Sequence, residues 1–215
     1  SGVAGVHCVI IGFALFDKLD KRIFEYENIN SETNDNQATS INAYLLDAPT
    51  VFLNSRGRPL TLDTPLMLNG GKPVEGGNLL LSDIEKNELI LAEPLAAKYI
   101  RPFSMGNEFI NGIKRWCIWL ENINPDELRQ MPLVLRRVDA VRQMREQSKK
   151  PATQALSATP TLFGEIRIST TPYLAIPKVS SENRKYIPIG YLDSSVVPGD
   201  KLFFIPNASM YHFGV

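Results

Sequence analysis

The stretch PLVLRRVDAVRQMREQSK, residues 132–149, decides how the rest of the chain is read. Pro132 stands where the first turn of a helix tolerates a missing N–H, and Leu135, Val138, Val141 and Met144 recur along one side. That is the apolar stripe of an amphipathic helix, with Arg136, Arg137, Arg142 and Arg145 placed towards its flanks. Residues 129–150 carry seven basic side chains and two acidic ones. The flank therefore either tracks a phosphate backbone or is a solvated face with i,i+4 pairs such as Arg142–Glu146.

Outward from this helix the pattern changes on both sides. After Pro151 it turns to short strands at 164–169, 173–177, 186–192 and 201–206, punctuated by Pro, Gly, Asn and Ser. Before it, Asn124-Pro125-Asp126-Glu127 is a helix start: Asn caps, Pro opens, and two acids face the positive end of the dipole. KRWCIWL, residues 114–120, predicts a strand whose Trp116 and Trp119 lie on opposite faces, so at most one of them reaches outward. Ser82-Asp83-Ile84-Glu85 is a capping box that opens a helix towards Leu91, and Pro94 opens a second short one. Residues 49–77 read as irregular chain with short apolar islands at 51–53 and 66–68. VHCVIIGF, residues 6–13, suits a strand buried on both faces, with RIFEY at 22–26 as its antiparallel neighbour. The polar residues 27–39 read as an exposed loop. The fold class is α+β: mostly antiparallel, mixed sheet with a central helical segment, preceded by a short hairpin.

Composition narrows the function classes. Hydrophobic residues make up 44% and charged residues 21% of the 215, so a packed core follows and general disorder does not. The formal net charge is zero, but residues 1–110 hold nine Lys and Arg against fourteen Asp and Glu, while residues 111–215 hold fourteen against nine. The basic half is where phosphate contacts belong, unless the asymmetry is ordinary fluctuation in surface charge. Cys8 and Cys117 each sit in apolar runs with no paired spacing, which reads as two reduced, buried thiols in a cytoplasmic protein without a zinc site. No apolar run is long enough to span a membrane.

Catalytic constellations are missing. Gly70-Gly71 and Gly76-Gly77 are turn glycines without nucleotide-loop spacing, and no Gly-x-Ser-x-Gly elbow occurs. His7 and His212 lie at opposite ends of the chain with no orienting partner in sight. A nuclease pattern fails as well: Pro125-Asp126 is explained by helix initiation, and Glu182-x-Arg184 has Arg where Lys is usual.

Longer strings carry a resemblance. RPFSMGNEFINGIKRWCIWL at 101–120, FGEIR and PYLAIPKVSSENRKYIPIGYL within 158–192, and the terminal IPNASMYHFGV occur in one order with VHCVIIGF and YLLDAPTVFL near the start. Together they resemble the MmeI-like family of DNA adenine methyltransferases, in which one polypeptide joins methylation to target recognition. The resemblance implies that residues 1–26 end the catalytic methyltransferase sheet and that residues 27–215 are the target-recognition domain, its C-terminal part cut short. Starting at Ser1 without Met and ending in an apolar run, the chain reads as a piece of a longer polypeptide. The family's glycine-rich S-adenosylmethionine loop and Asn-Pro-Pro-aromatic motif are not in it; Asn124-Pro125 is followed by Asp126. By resemblance the cofactor belongs to the parent and none to this piece, which is inactive alone. The partners are double-stranded DNA and the remainder of the parent chain.

The candidate DNA contacts follow from charge and shape. Lys178, Ser180, Ser181, Asn183, Arg184 and Lys185 place three cations and three small polar donors within eight residues, between two predicted strands. Such a loop donates to phosphate oxygens or presents Asn and Arg to base edges; the alternative is a solvated turn whose Ser and Asn cap their own backbone. Arg56 and Arg58 on the Gly/Pro-rich stretch, with Lys114, Arg115 and Lys201, complete the set. A different class of function, a non-catalytic docking module of a restriction-modification or phage-defence complex, predicts instead an exposed apolar patch and salt-insensitive association.

Overall fold

The computed structural model describes residues 9–28, 30–52, 54–55, 64–181 and 183–214. The chain divides into two compact units, Ser1–Leu62 and Asp63–Val215.

In the first unit β1 (Lys21–Glu25) pairs antiparallel with β2 (Asn34–Ala38), from Lys21 opposite Ala38 to Glu25 opposite Asn34. This is not the expected hairpin: RIFEY does form a strand, but its partner is the polar segment assigned to a loop and not residues 9–13. NDNQA has no apolar alternation to betray a strand; its ladder is reinforced across the pair by the Arg22–Asp35 ion pair. Residues 9–13 of VHCVIIGF form no strand and stand exposed, and residues 6–8 lie outside the described residues.

The second unit opens with β3 (Leu68–Asn69) and β4 (Leu80–Leu81). Between them Glu75, itself buried, accepts from the N–H groups of Gly77 and Leu79 and so closes a turn in which Gly76 and Gly77 adopt positive φ. The capping box forms as the spacing predicts: Ser82 Oγ accepts from Glu85 N at 3.2 Å, Glu85 Oε2 from Ser82 N at 2.8 Å, and α1 (Asp83–Ala92) follows. Pro94 opens a 3-10 turn to Tyr99, which feeds β5 (Ile100–Ser104), α2 (Gly106–Asn111) and β6 (Trp116–Ile118). The tip of α2 closes on Gly112 at φ 64°, the left-handed residue that ends a helix without a Cβ penalty. Asn124 caps α3 (Pro125–Arg129) through its side chain.

The helix of the opening stretch, α4 (Pro132–Glu146), buries Val134, Val138, Val141 and Arg145. Two corrections follow. Val134 rather than Leu135 begins the stripe, and Arg145 lies at its centre rather than on a flank. The helix has no cap of its own; instead Glu93, forty residues upstream and buried, accepts from Leu133 N at 2.5 Å and Val134 N at 3.2 Å. A carboxylate at the N-terminal end satisfies two orphan donors and meets the positive end of the dipole. At the other end the fully buried Arg145 guanidinium donates to five carbonyls: Val74 at 2.8 Å, Leu156 and Thr159 at 2.9 Å, Leu162 at 2.7 Å and Pro73 at 3.3 Å. All five N–H donors of the fork are thereby used.

After α4, Pro151 starts a helix, α5 (Pro151–Ala155), because proline at the first position is preset for one. The expected strand at 164–169 shrinks to a single bridge between Lys72 and Glu165. β7 (Tyr173–Pro177) and β10 (Leu202–Pro206) match their sequence patterns, whereas β8 is only Gly190–Leu192 and β9 (Val197–Pro198) is new. The chain runs on into α6 (Met210–Gly214). Two four-stranded sheets result, β4-β6-β5-β9 and β3-β10-β7-β8; β5 and β9 run parallel, and the other paired strands named here are antiparallel. The larger core packs α1 and α4 over the first sheet around Leu79, Leu81, Val134, Val138 and Phe163; the smaller gathers Tyr173, Ala175, Leu202 and Phe204 with Phe109 of α2. Both tryptophans are half-buried and hydrogen-bonded, Trp116 to Asp83 at 2.8 Å and Trp119 to Glu121 at 3.2 Å. Among the described residues, no buried side-chain polar atom lacks a partner, and no helix is long and apolar enough to cross a membrane.

Candidate nucleic-acid interface

β7 and β10 are adjacent antiparallel strands in register from Tyr173 opposite Pro206 to Pro177 opposite Leu202. Continuing that register one step sets Lys178 opposite Lys201, and Lys178 N donates to Lys201 O at 3.0 Å. Both side chains are exposed. Like charges directly opposite one another on a sheet repel and are destabilising. Lys178 leans over the half-buried ring of Phe203, its ammonium 4.8 Å from the centroid, which anchors the stem and leaves the charge at the surface.

From Lys178 the chain passes through residues 178–189 before entering β8. Arg184 N donates to Ser181 O at 3.1 Å and Asn183 N to Ser181 Oγ at 3.2 Å. The Ser181 hydroxyl is thus occupied in forming the turn, as the solvated-turn alternative requires. Ser180, Asn183, Arg184 and Lys185 are exposed around it. Glu165, a possible tether for Arg184, pairs with Arg167 at 2.9 Å instead, and Glu182 lies outside the described residues. Asp193, beyond β8, accepts from Ser195 N, and that bond holds its carboxyl below the usual carboxylate range.

Among the described residues, Lys114 and Arg115 are not drawn into this cluster by a contact of their own. Arg115 is half-buried and paired with Glu108 of α2 at 3.5 Å, its carbonyl taken by Phe103 N; Lys114 is exposed. They follow the C-terminal end of α2, while its first residue, Gly106, abuts the Lys201 carbonyl: a Cβ there would stand 3.3 Å from that oxygen. Arg56 and Arg58 lie outside the described residues. On α4 three of the four arginines are engaged by partners within the protein. Arg137 donates to Asn78 O at 3.0 Å and meets Glu85 at 3.5 Å; Arg142 pairs with Asp139 at 3.3 Å rather than with Glu146; Arg145 is buried. Arg136 alone of these four is exposed with no charged partner among the described residues.

Three features had no signal in the sequence pattern. Arg101 donates to the Ser194 and Ser195 carbonyls at 2.9 and 3.2 Å with its guanidinium 5.4 Å from the Trp119 ring, tying the turn after β8 to the first sheet. Tyr173, buried, donates to Val196 O at 2.9 Å and so holds the same turn; burial raises its phenol. Val179, Tyr186 and Ile187 stand exposed among the cations of the loop. No group of three or more His, Cys, Asp or Glu side chains among the described residues could hold a metal.

The family described as "MmeI, target recognition domain" matches residues 47–215. DNA methyltransferase A of Bacillus subtilis (strain 168) is 32% identical over 213 residues, 99% of this chain and 23% of that protein. The solved structure of the Type IIL restriction-modification enzyme MmeI in complex with DNA is 42% identical, with a TM-score of 0.88 over 93% of this chain and 27% of that one. The chain thus spans about a quarter of the length of these relatives.

Proposed function

The chain belongs to the MmeI target-recognition-domain family, and on that footing we propose that it grips duplex DNA and reads a short sequence for a larger adenine-N6 methyltransferase, placing the target adenine for it. The observation that carries this is the exposed basic end of the second sheet, where Lys178 and Lys201 oppose each other and the loop that follows carries the exposed Arg184 and Lys185. Cations so arranged suit phosphate oxygens, and Arg184 and Asn183 beside them offer donors to base edges. Lys114 and Arg115, with Arg56 and Arg58, are further contacts in this reading.

The methyl donor, S-adenosylmethionine, fits the parent and not this chain. A Cβ on Gly70 would lie 2.1 Å from the Gly199 carbonyl oxygen, so that glycine serves a crossing of backbones, and the Gly76-Gly77 turn is closed over Glu75. We assign residues 1–26 to the end of the parent's catalytic sheet and residues 27–215 to the recognition domain. The exposed Ile10, Phe13, Leu15 and Leu19 support the first assignment, as apolar surface suited to the remainder of the parent chain. The buried, unpaired Cys117 accords with a reducing, cytoplasmic setting.

Fluorescence anisotropy of this chain on a random-sequence duplex across a salt series tests the reading. Four cations, Lys178, Arg184, Lys185 and Lys201, at about −0.9 each per phosphate, give a slope of log affinity on log salt of about −3.6. Arg184→Ala flattens it by about one unit without lowering the melting temperature. Association that ignores salt, or none, favours the docking module.

A further inference from the structure

We propose that Tyr186 and Ile187 form an apolar wedge that enters a DNA duplex at an opened base step, with the Tyr186 ring stacking on the exposed base. The inference rests on the DNA-binding reading above and deepens it. Val179, Tyr186 and Ile187 are 76%, 75% and 69% exposed, in a loop whose other members are three cations, Glu182, small polar residues, Pro188 and Ile189. An apolar protein partner would suit these three side chains but not the opposed Lys178 and Lys201. A row of phosphates would suit the lysines but leave the apolar side chains in water. Duplex DNA offers both surfaces at once, because the faces of its bases become accessible wherever a step is prised apart.

Local geometry favours a rigid wedge over a loose tail. The Lys185 ammonium lies 5.4 Å from the Tyr186 ring centroid, a cation over the ring that also stands beside any phosphate the ring passes. Ile187 precedes Pro188 and is thereby confined to extended backbone. Two residues on, Gly190 enters β8 against Phe109, where a Cβ would stand 3.4 Å from Cζ. At the start of the loop Lys178 is held over Phe203. Both ends are therefore built into the second sheet. Tyr191 supplies the contrast: it is 41% exposed, but its ring already stacks on Phe213 at 6.2 Å and 16°.

The test compares the affinity of the full chain for a matched duplex and for the same duplex carrying one central abasic site, where the unstacking has been done in advance. Wild type should prefer the abasic duplex by about ten-fold, in the range that base–aromatic stacking supplies. Tyr186→Ala should abolish the preference while keeping the salt slope and melting temperature; Tyr186→Phe should retain it, and Tyr191→Phe should leave it unchanged. Equal affinity of wild type for both duplexes, or a preference that survives Tyr186→Ala, overturns the wedge and leaves the DNA-binding reading standing. Failure of wild type to bind either duplex overturns both.

Discussion

Replacing Arg145 by Met keeps the length and much of the volume of the side chain but removes every donor. Five carbonyls, on Pro73, Val74, Leu156, Thr159 and Leu162, then lose their partner together. A buried acceptor left unpaired costs about 1–3 kcal/mol. Leu156, Thr159 and Leu162 are not fully buried, so water recovers part of their loss, whereas the Pro73 bond is buried and Val74 is half-buried. Val74 also holds φ at +49°, an outlier for a β-branched residue that persists because its surroundings over-determine it. Removing the guanidinium also removes the cost of keeping a charge out of water, which pulls its own pKa down and which nearby Glu75 offsets. The balance is about 4 kcal/mol of destabilisation, a large share of the 5–15 kcal/mol typical of a folded domain. At 2–4 °C per kcal/mol, the midpoint of thermal unfolding falls by roughly 8–16 °C. Arg145→Lys, with three donors for five acceptors, should fall between, and Arg142→Met, which loses one exposed ion pair, should stay within ~0.5 kcal/mol of wild type. Circular dichroism melts and urea titrations of the three variants measure this. If Arg145→Met melts within two degrees of the parent, the five-carbonyl hub does not hold the fold and the reasoning fails.

Three further outcomes are expected. Gly70→Ala places a methyl group 2.1 Å from the Gly199 carbonyl, against backbone that cannot yield cheaply, and should cost about 2–4 kcal/mol in urea unfolding; a stable variant would show that β3 and the turn before β10 can separate. Burial pushes the Cys117 thiol up to about 12, so in a Cys8→Ser background no alkylation by iodoacetamide at pH 8 is expected until denaturant is added, and prompt modification would mean the first sheet opens readily. The Ser82 N–H holds the Glu85 carboxyl below its ordinary value; this stabilisation is therefore complete above the ordinary glutamate range and lost as pH falls through the lowered value. Glu85→Gln should flatten the acid limb of stability against pH, and an unchanged limb would remove the capping box from the account.

Helix starts were legible because their signals are local. Ser82 with Glu85, Asn124 with Pro125, and Pro132 before an apolar stripe each satisfy or excuse N–H groups within three residues of themselves. β7 and β10 were legible for the same reason, as short apolar runs between turn residues. Family membership and the cationic loop at 178–185 could likewise be read from strings of residues. What the sequence could not say is which polar groups meet across long separations. Glu93 caps a helix forty residues away, Arg145 ties 73–74 to 156–162, and NDNQA forms a strand only because Arg22 and the β1 ladder meet it. The opposition of Lys178 to Lys201, the exposure of Tyr186 and the burial of Tyr173 are equally products of the folded sheet. Periodicity records which side of an element avoids water. It carries no information about a charge that becomes satisfied in the interior, since that depends on carbonyls and carboxylates brought near only when the whole chain has closed around them.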